Sequence, residues 1–370
     1  MRQICGMKVR IYPNRSQQNN IDTTLNCCRF VYNEMLARNK KVYERRGEHL
    51  SYISMQNLLP KMKLYLPWLK DADSQALKYA CRQVDTAYQN FFKHGKGFPK
   101  FHRKKGRQSY TTTNMSRVAF EKNKVKLPCL GWVKARGLRE LPDDTKICMV
   151  TISKETDDNY YASILHEREI EDPICESDKA IALDYKSDGL YTDSDGNTAD
   201  MPHWFRKSQT KLARQQRKLS RKIGSKNGER KSSGWKKQQK RVARIYRHAS
   251  NQRADYLHKL SRQLADTHGI VAVEDLDMRA MSNKLFGNGK ATLDNGYGMF
   301  LTMLDYKLQE RGGKLVKVDR WYPSSQICSR CGNRQKIPLT TRVYRCCCGL
   351  TIDRDYNAAL NILNEALRVA

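Results

Sequence analysis

Cys328-Ser-Arg-Cys331-Gly332 opens the segment that decides the fold, and Cys346-Cys-Cys348-Gly349 closes it just before Asp353-Arg-Asp355. Fourteen residues separate Cys331 from Cys346. Two pairs of thiolates at this spacing can enclose a tetrahedral Zn²⁺ ion, and the glycine after each pair permits the tight turn that brings two sulfurs onto one metal. The sequence therefore predicts a zinc site built from two cysteine knuckles.

The second knuckle contains one cysteine more than a zinc site needs. Adjacent Cys347 and Cys348 would point apart, and Cys348 carries a glycine like the one after Cys331, so we take Cys346 and Cys348 as the ligands that join Cys328 and Cys331. Cys347 is then a spare thiol. A disulfide cluster fits poorly with a long chain that has no signal-peptide core. Four thiolates leave no open coordination position, so this zinc is expected to stabilise the fold and not to perform chemistry.

The charge of the chain is its most informative bulk property. The 370 residues carry a formal net charge of +31, which indicates a polyanionic partner whose binding weakens steeply with salt. Nucleic acid is favoured over a membrane because basic residues are spread along the whole length and no run of about 18 apolar residues occurs. We expect a cytoplasmic, nucleoid-associated protein, with the seven cysteines outside the knuckles as free thiols.

The amino-terminal part combines one strand with a helical segment. Residues 7–13 alternate apolar and polar side chains, which predicts a strand, and helical periodicity predicts helices over 17–46, 51–64 and 73–92. In the last of these helices an apolar stripe can pack inward while polar residues share another face. The polar residues are Gln75, Lys78 and Arg82. They are candidates for DNA contact, and a solvated helix face is the alternative interpretation.

A turn-rich loop at residues 95–106 interleaves aromatic rings with positive charge. Its candidates for phosphate contact or for stacking on unpaired bases are Lys96, Phe98, Lys100 and Phe101. Short alternating strands separated by Gly, Pro and Asp turns follow over 109–167 and predict a small antiparallel barrel. If the strand at 7–13 joins this barrel, the helical segment is an insertion into a β module.

The carboxy-terminal half combines buried strands with a strongly basic helical region. Between Arg206 and Arg247 the sequence has seventeen basic residues and one acid, which favours nucleic-acid contact over a solvated helix pair. Breaks in this helical region are expected at Gly224, Gly228 and Gly234. The other predicted elements are strands at 180–184, 269–274 and 314–318 and helices at 297–309 and 356–369.

Three acids stand where a buried strand ends or a helix begins, namely Asp184, Glu274 and Asp355. Such positions can converge at one sheet edge, where carboxylates without enough basic partners bind hard divalent cations, above all Mg²⁺. Two such ions about 4 Å apart can activate a water and stabilise the leaving oxygen in phosphodiester hydrolysis. Each acid also has a simpler interpretation: Asp184 could pair with Lys186, Glu274 could be a surface acid, and Asp355 or Asp353 could cap the terminal helix.

Four motifs surround these acids and the knuckles. They are Ala182-Leu-Asp184 with the Ser194-Asp-Gly196 turn, Val273-Glu-Asp-Leu276, Tyr322-Pro-Ser-Ser-Gln-Ile-Cys328-Ser-Arg-Cys331-Gly332, and Asp353-Arg-Asp355-Tyr-Asn-Ala-Ala-Leu-Asn-Ile362. Together with Tyr12-Pro-Asn14 through Asn33 and Phe91 through Phe101, they resemble the TnpB family of transposon-associated nucleases, which are relatives of the type V CRISPR effectors. The resemblance covers essentially the whole chain. Family members often have glycine where this chain has Lys186, and the compressed second knuckle is the other departure.

The resemblance implies a multidomain α/β protein. Its RuvC nuclease domain, of ribonuclease-H-like fold, would be interrupted by a zinc ribbon and accompanied by a small β-barrel called the wedge and by a helical recognition lobe. The implied domains are a wedge strand at 1–14, the recognition lobe at 15–108, the wedge barrel at 109–173, RuvC at 174–325 and 352–370, and the zinc ribbon at 326–351. By similarity Asp184, Glu274 and Asp355 hold two catalytic Mg²⁺ ions, beside one structural zinc.

The resemblance also implies partners and an activity. A guide RNA would pair with target double-stranded DNA while a single protein chain reads a short transposon-adjacent motif, so the chain would be an RNA-guided DNA endonuclease. Alternatives are a guided DNA-binding regulator with weak or no cleavage and a miniature type V CRISPR effector. An inactivated regulator would be expected to have lost one of the three acids, and all three are present. A DNA-joining transposase is not supported, because no tyrosine is flanked by a convincing metal-binding histidine pair.

Overall fold

The structure, a computed structural model, describes residues 2–141, 145–169, 173–226, 230–283, 289–338 and 341–369. The chain divides into two compact units, residues 1–170 and 171–370, and each has its own sheet and its own core. Residues 170–172, beside the predicted boundary at 173, lie outside the described residues. Among the described helices, none has both the length and the apolar composition to cross a membrane.

A seven-stranded antiparallel sheet forms the centre of the first unit. Its strands are β1 (Arg2–Tyr12), β2 (Gln108–Thr112), β3 (Ala119–Glu121), β4 (Lys124–Leu127), β5 (Gly131–Arg136), β6 (Lys146–Lys154) and β7 (Tyr160–Glu169), in the spatial order β2-β6-β7-β1-β5-β4-β3. β1 lies inside the sheet, paired along its length with β7 and near its end with β5. Within the described residues no ladder joins the outer strands β2 and β3, so closure into a barrel stays a prediction.

Three helices are inserted between β1 and β2. They are α1 (Arg15–Arg46), α2 (Tyr52–Tyr65) and α3 (Ser74–His94). α1 begins with a capping box in which the side chains of Asn14 and Gln17 each accept a hydrogen bond of 2.9 Å from the other residue's backbone N–H. The apolar stripes of α1 and α3 are buried in the core that they share with the sheet. Burial of these stripes accounts for the helical periodicity of the sequence.

The second unit contains a mixed five-stranded sheet with helices on both faces. Its strands are β8 (Ala180–Tyr185), β9 (Tyr191–Asp193), β10 (Thr198–Ala199), β11 (Ile270–Glu274) and β12 (Lys314–Val318), in the order β10-β9-β8-β11-β12. Its helices are α4 (Trp204–Ser220), α5 (Ser233–Thr267), α6 (Met278–Met281), α7 (Gly289–Asn295), α8 (Tyr297–Gln309) and α9 (Arg354–Val369). The strands β8, β11 and β12 are parallel, whereas β9 and β10 run as an antiparallel hairpin.

The two faces of this sheet differ in side-chain size. Leu183 and Val273 pack with the apolar side chains of α5 and α8, while Ala182 and Ala272 pack with Ile362 of α9. Small alanines permit α9 to approach the strands closely. This close approach places the beginning of α9 beside the ends of β8 and β11. A short hairpin, β13 (Val343–Arg345) and β14 (Thr351–Asp353), leads directly into α9.

The basic region forms two helices, α4 and α5, which pack against each other. The Gln238 side chain of α5 donates hydrogen bonds to the backbone and side-chain oxygens of Gln215 in α4, at 3.0 and 2.8 Å. Gly224 lies in the connection, as predicted, but Gly234 lies inside α5, because one glycine near a helix start destabilises the helix too little to end it. Gly228 lies outside the described residues.

Replacing Gly269 with alanine is expected to destabilise the second unit by about 3 kcal/mol, the upper end of the usual cost of overpacking. A Cβ atom at Gly269 would lie 2.0 Å from the backbone oxygen of Ser177 and 2.6 Å from Cys175 Sγ, so the start of β11 would have to move. The matched control is Gly298→Ala in the first turn of α8, where the nearest atom, Met278 Cγ, lies at 3.9 Å and alanine should change the stability by less than about 1 kcal/mol. Denaturant unfolding measures both, and equal effects would contradict the packing argument.

Candidate active site and metal centre

Two of the predicted acids lie next to each other at the carboxyl edge of the second sheet. β8 and β11 pair in parallel from Ala180 opposite Ile270 to Leu183 opposite Val273, and Asp184 and Glu274 are the next residues of the two strands. The residues just before them are fully buried. Since neighbouring strands are about 4.8 Å apart, both carboxylates emerge close together where the strands leave the core.

Asp184 occupies an environment that opposes its negative charge. Burial, and then the charges of Glu274 and Asp355, raise the pKa of Asp184 well above its ordinary value, while Arg354 partly offsets them. Among the described residues, none forms a hydrogen bond or ion pair with its side chain, Lys186 included. The three acids are therefore within electrostatic reach of one another, and Asp184 is the least neutralised.

Glu274 is held by one specific contact. The Ser324 hydroxyl donates a short hydrogen bond to Glu274 Oε1. Burial raises the pKa of Glu274, and the hydrogen bond from Ser324 lowers it in part. The neighbouring Asp275 is the ordinary surface acid of this edge, because the hydrogen bond from Arg320, at 2.9 Å, lowers its pKa with help from the nearby Lys317. The surface interpretation therefore describes Asp275 and not Glu274.

The start of α9 separates the role of Asp353 from that of Asp355. Asp353 Oδ1 accepts hydrogen bonds from the backbone N–H groups of Asp355 and Tyr356, at 2.9 and 3.0 Å, so Asp353 caps the helix. The Asp355 carboxylate is consequently not used as a cap. It lies 3.2 Å from Arg354 Nη2 and 3.6 Å from Arg342 Nη1.

Asp184→Asn is expected to raise the thermal stability of the metal-free protein at neutral pH. An acid whose pKa is raised by folding contributes stability below its unfolded pKa of about 3.9, and this contribution is lost as pH rises through the higher folded pKa. The asparagine side chain of the variant does not titrate, so its stability does not change with pH for this reason. The difference in unfolding temperature between the variant and the wild type should therefore grow between about pH 4 and pH 8 in EDTA. A difference that stays constant with pH would contradict the assigned environment of Asp184.

The predicted zinc ligands lie together in the described part of the chain. The sulfur atoms of Cys328, Cys331, Cys346 and Cys348 are all within 4.8 Å of one another. Cys328 Sγ lies 3.7 Å from Cys348 Sγ, and Cys331 Sγ lies 3.5 Å from Cys346 Sγ. Four sulfurs each about 2.3 Å from a tetrahedral zinc would be about 3.8 Å apart. The four-cysteine cluster can therefore hold one metal ion.

The second knuckle distinguishes Cys346 from its neighbour Cys347. A hydrogen bond from the Cys348 backbone N–H is the main reason why the pKa of Cys346 is lowered to about 6, which favours the thiolate that a metal requires. Cys346 raises the pKa of Cys347, whose sulfur accepts a hydrogen bond from Asn333 Nδ2 at 3.6 Å. Cys347 lies beside the cluster without belonging to it.

The nucleic-acid candidates lie in the first unit, on α3 and on the loop after it. Gln75, Lys78 and Arg82 share one face of α3, with Gln75 and Lys78 half-buried and Arg82 exposed. In the loop Lys96 and Lys100 are exposed, and Lys96 Nζ donates to Asn90 Oδ1 at 3.2 Å. The helix face and the loop therefore both present basic groups to solvent.

The two phenylalanines of the loop differ in their surroundings. Phe98 packs edge-on against Tyr88 and Phe91, with ring centroids 5.6 and 5.3 Å apart, and belongs to the margin of the core. Phe101 is 52% exposed, which leaves its ring available to a partner. Phe98 therefore anchors the loop to the core, and the Phe101 ring is exposed to solvent.

The neighbour of Phe101, His102, is bound to helix α1 through its backbone and its ring. The Asn33 side chain donates to the His102 carbonyl at 3.0 Å and accepts from the His102 N–H at 2.8 Å. The His102 ring stacks on Tyr32, and burial, followed by the charge of Arg29, lowers its pKa. An open cavity of about 300 Å³ lies here, and its lining includes Arg29, Phe101, His102, Arg103 and Arg107.

Three polar residues of the second unit were not predicted from the sequence. Ser324 contacts Glu274, and Asn357 and Asn361 of α9 bind the backbone of the segment that leads to the first knuckle. The sequence does contain a signal for the asparagines: their spacing of four residues puts them on one helix face otherwise lined by buried alanine and isoleucine. Buried amides on an apolar face require partners.

Family profiles match three parts of the chain. They are described as "Helix-turn-helix domain" for residues 1–48, "Probable transposase" for residues 163–285, and "Cas12f1-like, TNB domain" for residues 297–362. In the structure, residues 2–46 form the strand β1 and the single uninterrupted helix α1. The fold of this part therefore differs from the helix-turn-helix that its profile description names.

Two curated relatives align with nearly the whole chain. The "Putative RNA-guided DNA endonuclease" of Streptomyces pristinaespiralis is 34% identical over 371 residues, covering 98% of this chain and 89% of the relative. The "Putative RNA-guided DNA endonuclease InsQ" of Escherichia coli strain K12 is 31% identical over 381 residues, covering 98% and 92%.

A solved structure shares the overall fold. The matching chain of the "Cryo-EM structure of the Cas12f1-sgRNA-target DNA complex" has a TM-score of 0.55 at 12% identity, covering 98% of this chain and 99% of that one. At this low identity the similarity concerns the mixed α/β fold alone.

Proposed function

The chain belongs to the TnpB-like family of RNA-guided DNA endonucleases, and we propose that it cuts double-stranded DNA that its guide RNA has selected. The observation that carries this proposal is the convergence of Asp184, Glu274 and Asp355 at one sheet edge of a chain whose net charge is +31. Arg354 and Arg342 compensate these acids only in part, and the remaining negative charge favours a divalent cation. The proposed reaction is phosphodiester hydrolysis by the RuvC type of centre.

The three carboxylates fit divalent metal by the chemistry of their donor atoms. Oxygen is the ligand that Mg²⁺ prefers, and within the described residues the Asp184 carboxylate forms no hydrogen bond or ion pair, while Arg354 only partly offsets the negative charges around it. Two Mg²⁺ ions held there would supply an activated water and stabilise the leaving oxygen.

The protein's own residues contribute orientation and charge to this centre. Asp184 and Glu274 are fixed by the strand register, and Asp353 fixes the first turn of α9 so that Asp355 is presented beside them. Arg354 and Arg342 place positive charge next to Asp355, where a DNA phosphate could also approach. The centre is therefore prepared for a polyanionic substrate.

The four-cysteine cluster is proposed to hold one structural Zn²⁺. The cluster consists of sulfur ligands only, which suit zinc and leave no position open for chemistry. Its second knuckle forms the turn between β13 and β14, and β14 ends at the cap of α9. Zinc would therefore stabilise the β13–β14 hairpin that leads to Asp355.

In this proposal the first unit contributes contacts to the nucleic acids, beside those proposed for the basic helices α4 and α5 of the second unit. Its seven-stranded sheet is the wedge and its inserted helices α1 to α3 are the recognition lobe. The second unit is the RuvC nuclease with its zinc ribbon. The face of α3 that carries Gln75, Lys78 and Arg82 is proposed to read the short motif beside the target, and the loop with Lys96, Lys100 and Phe101 to contact phosphates and bases.

The test uses the protein purified with its co-expressed RNA, since sequencing that RNA also identifies the guide. The ribonucleoprotein is incubated with targets that carry a randomised flanking sequence, in Mg²⁺ and in EDTA. We expect cutting in Mg²⁺ only, at targets that share one flanking motif. Targets that are bound in Mg²⁺ but stay intact would instead establish a guided DNA-binding regulator.

A further inference from the structure

The segment 324–329, which follows β12 and runs into the first knuckle, contacts the proposed nuclease centre through its first residue, Ser324. The Ser324 hydroxyl donates to Glu274 Oε1, and Ser324 is only 5% exposed. A buried donor on one oxygen of a carboxylate fixes the rotation of that carboxylate and leaves the second oxygen for another partner. Ser324 reaches Glu274 across fifty residues of sequence, so the contact depends on how the segment is placed.

Helix α9 places this segment through two buried asparagines. Asn361 Nδ2 donates to the carbonyl oxygens of Ser324 and Ile327, at 2.7 and 2.6 Å. Asn357 Nδ2 donates to the same Ile327 oxygen at 2.7 Å, and Asn357 Oδ1 accepts from the Ser329 N–H at 3.0 Å. The two asparagines are 3% and 0% exposed, so water does not compete for these hydrogen bonds.

We infer that Ser324 is a positioning residue that aims the Glu274 carboxylate at divalent metal, and that Asn361 holds Ser324 for this task. The inference rests on the proposed function and adds to it which residues orient the Glu274 carboxylate. Asn361 lies six residues after Asp355 on the same helix, so one helix sets the position of two of the three acids. Ser324 does not touch the substrate; it acts through Glu274.

Two substitutions of similar volume isolate the hydroxyl of Ser324. Ser324→Thr retains the donor and Ser324→Val replaces it with a methyl group in a side chain of nearly the same shape. Because both variants add one branch, any cost of extra volume is common to them. Ser325→Ala is the matched control, since Ser325 is the neighbouring serine and forms no hydrogen bond with an acid of the centre.

The first readout is independent of cutting. Thermal unfolding of each variant is followed during titration with Mg²⁺ alone, and the midpoint of metal-induced stabilisation is recorded. We expect Ser324→Val to raise this midpoint about tenfold, in line with the 10–100-fold loss typical when a partner of a metal ligand is removed. Ser324→Thr and Ser325→Ala should stay within about twofold of the wild type.

The second readout is the rate of target cutting at saturating Mg²⁺, together with zinc content and guided DNA binding. We expect a 10–100-fold slower rate for Ser324→Val, with zinc content and DNA binding unchanged. Asn361→Ala should also raise the midpoint of the Mg²⁺ titration. In a protein that already carries Ser324→Val, Asn361→Ala should change this midpoint little further, because the two residues act through one contact.

An equal Mg²⁺ midpoint for Ser324→Thr and Ser324→Val would overturn the inference, and so would a loss of zinc that fully accounts for the change. If the wild type binds Mg²⁺ but does not cut, the proposed function fails while the metal titration still decides the role of Ser324. If the threonine variant behaves as the wild type and only the valine variant is impaired, the positioning role is supported.

Discussion

Glu274→Gln is expected to reduce the rate of target cutting by about a thousandfold or more while guided DNA binding persists. Glutamine keeps the size of the side chain and can still accept the hydrogen bond from Ser324, so only the charge is removed. A metal ion contributes several kcal/mol of charge stabilisation in phosphodiester hydrolysis, and each 1.4 kcal/mol corresponds to about a factor of ten in rate. Single-turnover cutting of a labelled target and a gel-shift assay measure the two properties.

The matched control for this substitution is Asp275→Asn at the adjacent position. Asp275 pairs with Lys317 and Arg320 on the surface, so its replacement should change the rate by less than about threefold. Asp184→Asn and Asp355→Asn should behave like Glu274→Gln. A charge-neutral variant of any of these three acids that cuts at the wild-type rate would remove that residue from the centre.

Replacing a zinc ligand is expected to lose both the metal and the activity. Cys346→Ser should reduce zinc content from one ion per chain to a small fraction, because a hydroxyl is a poor substitute for a thiolate on zinc. The change should also lower the unfolding temperature of the second unit. Cutting should fall at least tenfold, because the hairpin of β13 and β14 carries the disturbance from the knuckle to the Asp353 cap.

Cys347→Ser separates a ligand from a bystander at the next position in sequence. Since Cys347 lies outside the four-sulfur cluster, this variant should keep its zinc and its rate of cutting. Metal analysis by mass spectrometry and the single-turnover assay compare the two serine variants directly. Loss of zinc in Cys347→Ser would refute the assignment of the zinc ligands. Full cutting by a zinc-free Cys346→Ser protein would refute the coupling between the zinc site and Asp355.

The ends of β8 and β11 could be predicted because apolar strands that stop at an acid are local features of the sequence. The grouping of the four sulfurs was also predictable, since spacing along the chain fixes it. The role of Asp353 required the structure, because two aspartates near a helix start satisfy the same capping preference and only the hydrogen bonds distinguish them.

Contacts between distant parts of the chain could not be predicted. Ser324 meets Glu274 only because β11, β12 and α9 are brought together by packing. The sequence also gives little indication of β5, in which only Val133 and Ala135 face the core and Trp132 interrupts the apolar alternation. Phe98 and Phe101 lie in similar basic surroundings in the sequence, and which of them packs inward depends on Tyr88 and Phe91.

The pairing of β1 with β7 has a consequence for synthesis of the protein. Arg2 lies opposite Glu169 in this ladder, so β1 leaves the ribosome long before its partner exists. At about 5–20 residues per second the wait lasts roughly 10–30 s, during which an unpaired strand could join another chain. Lys8 and Arg10, which alternate with the buried Val9 and Ile11, place charge along the waiting strand and oppose such association. Production of the folded protein should therefore depend on these two charges even though neither contributes to the core.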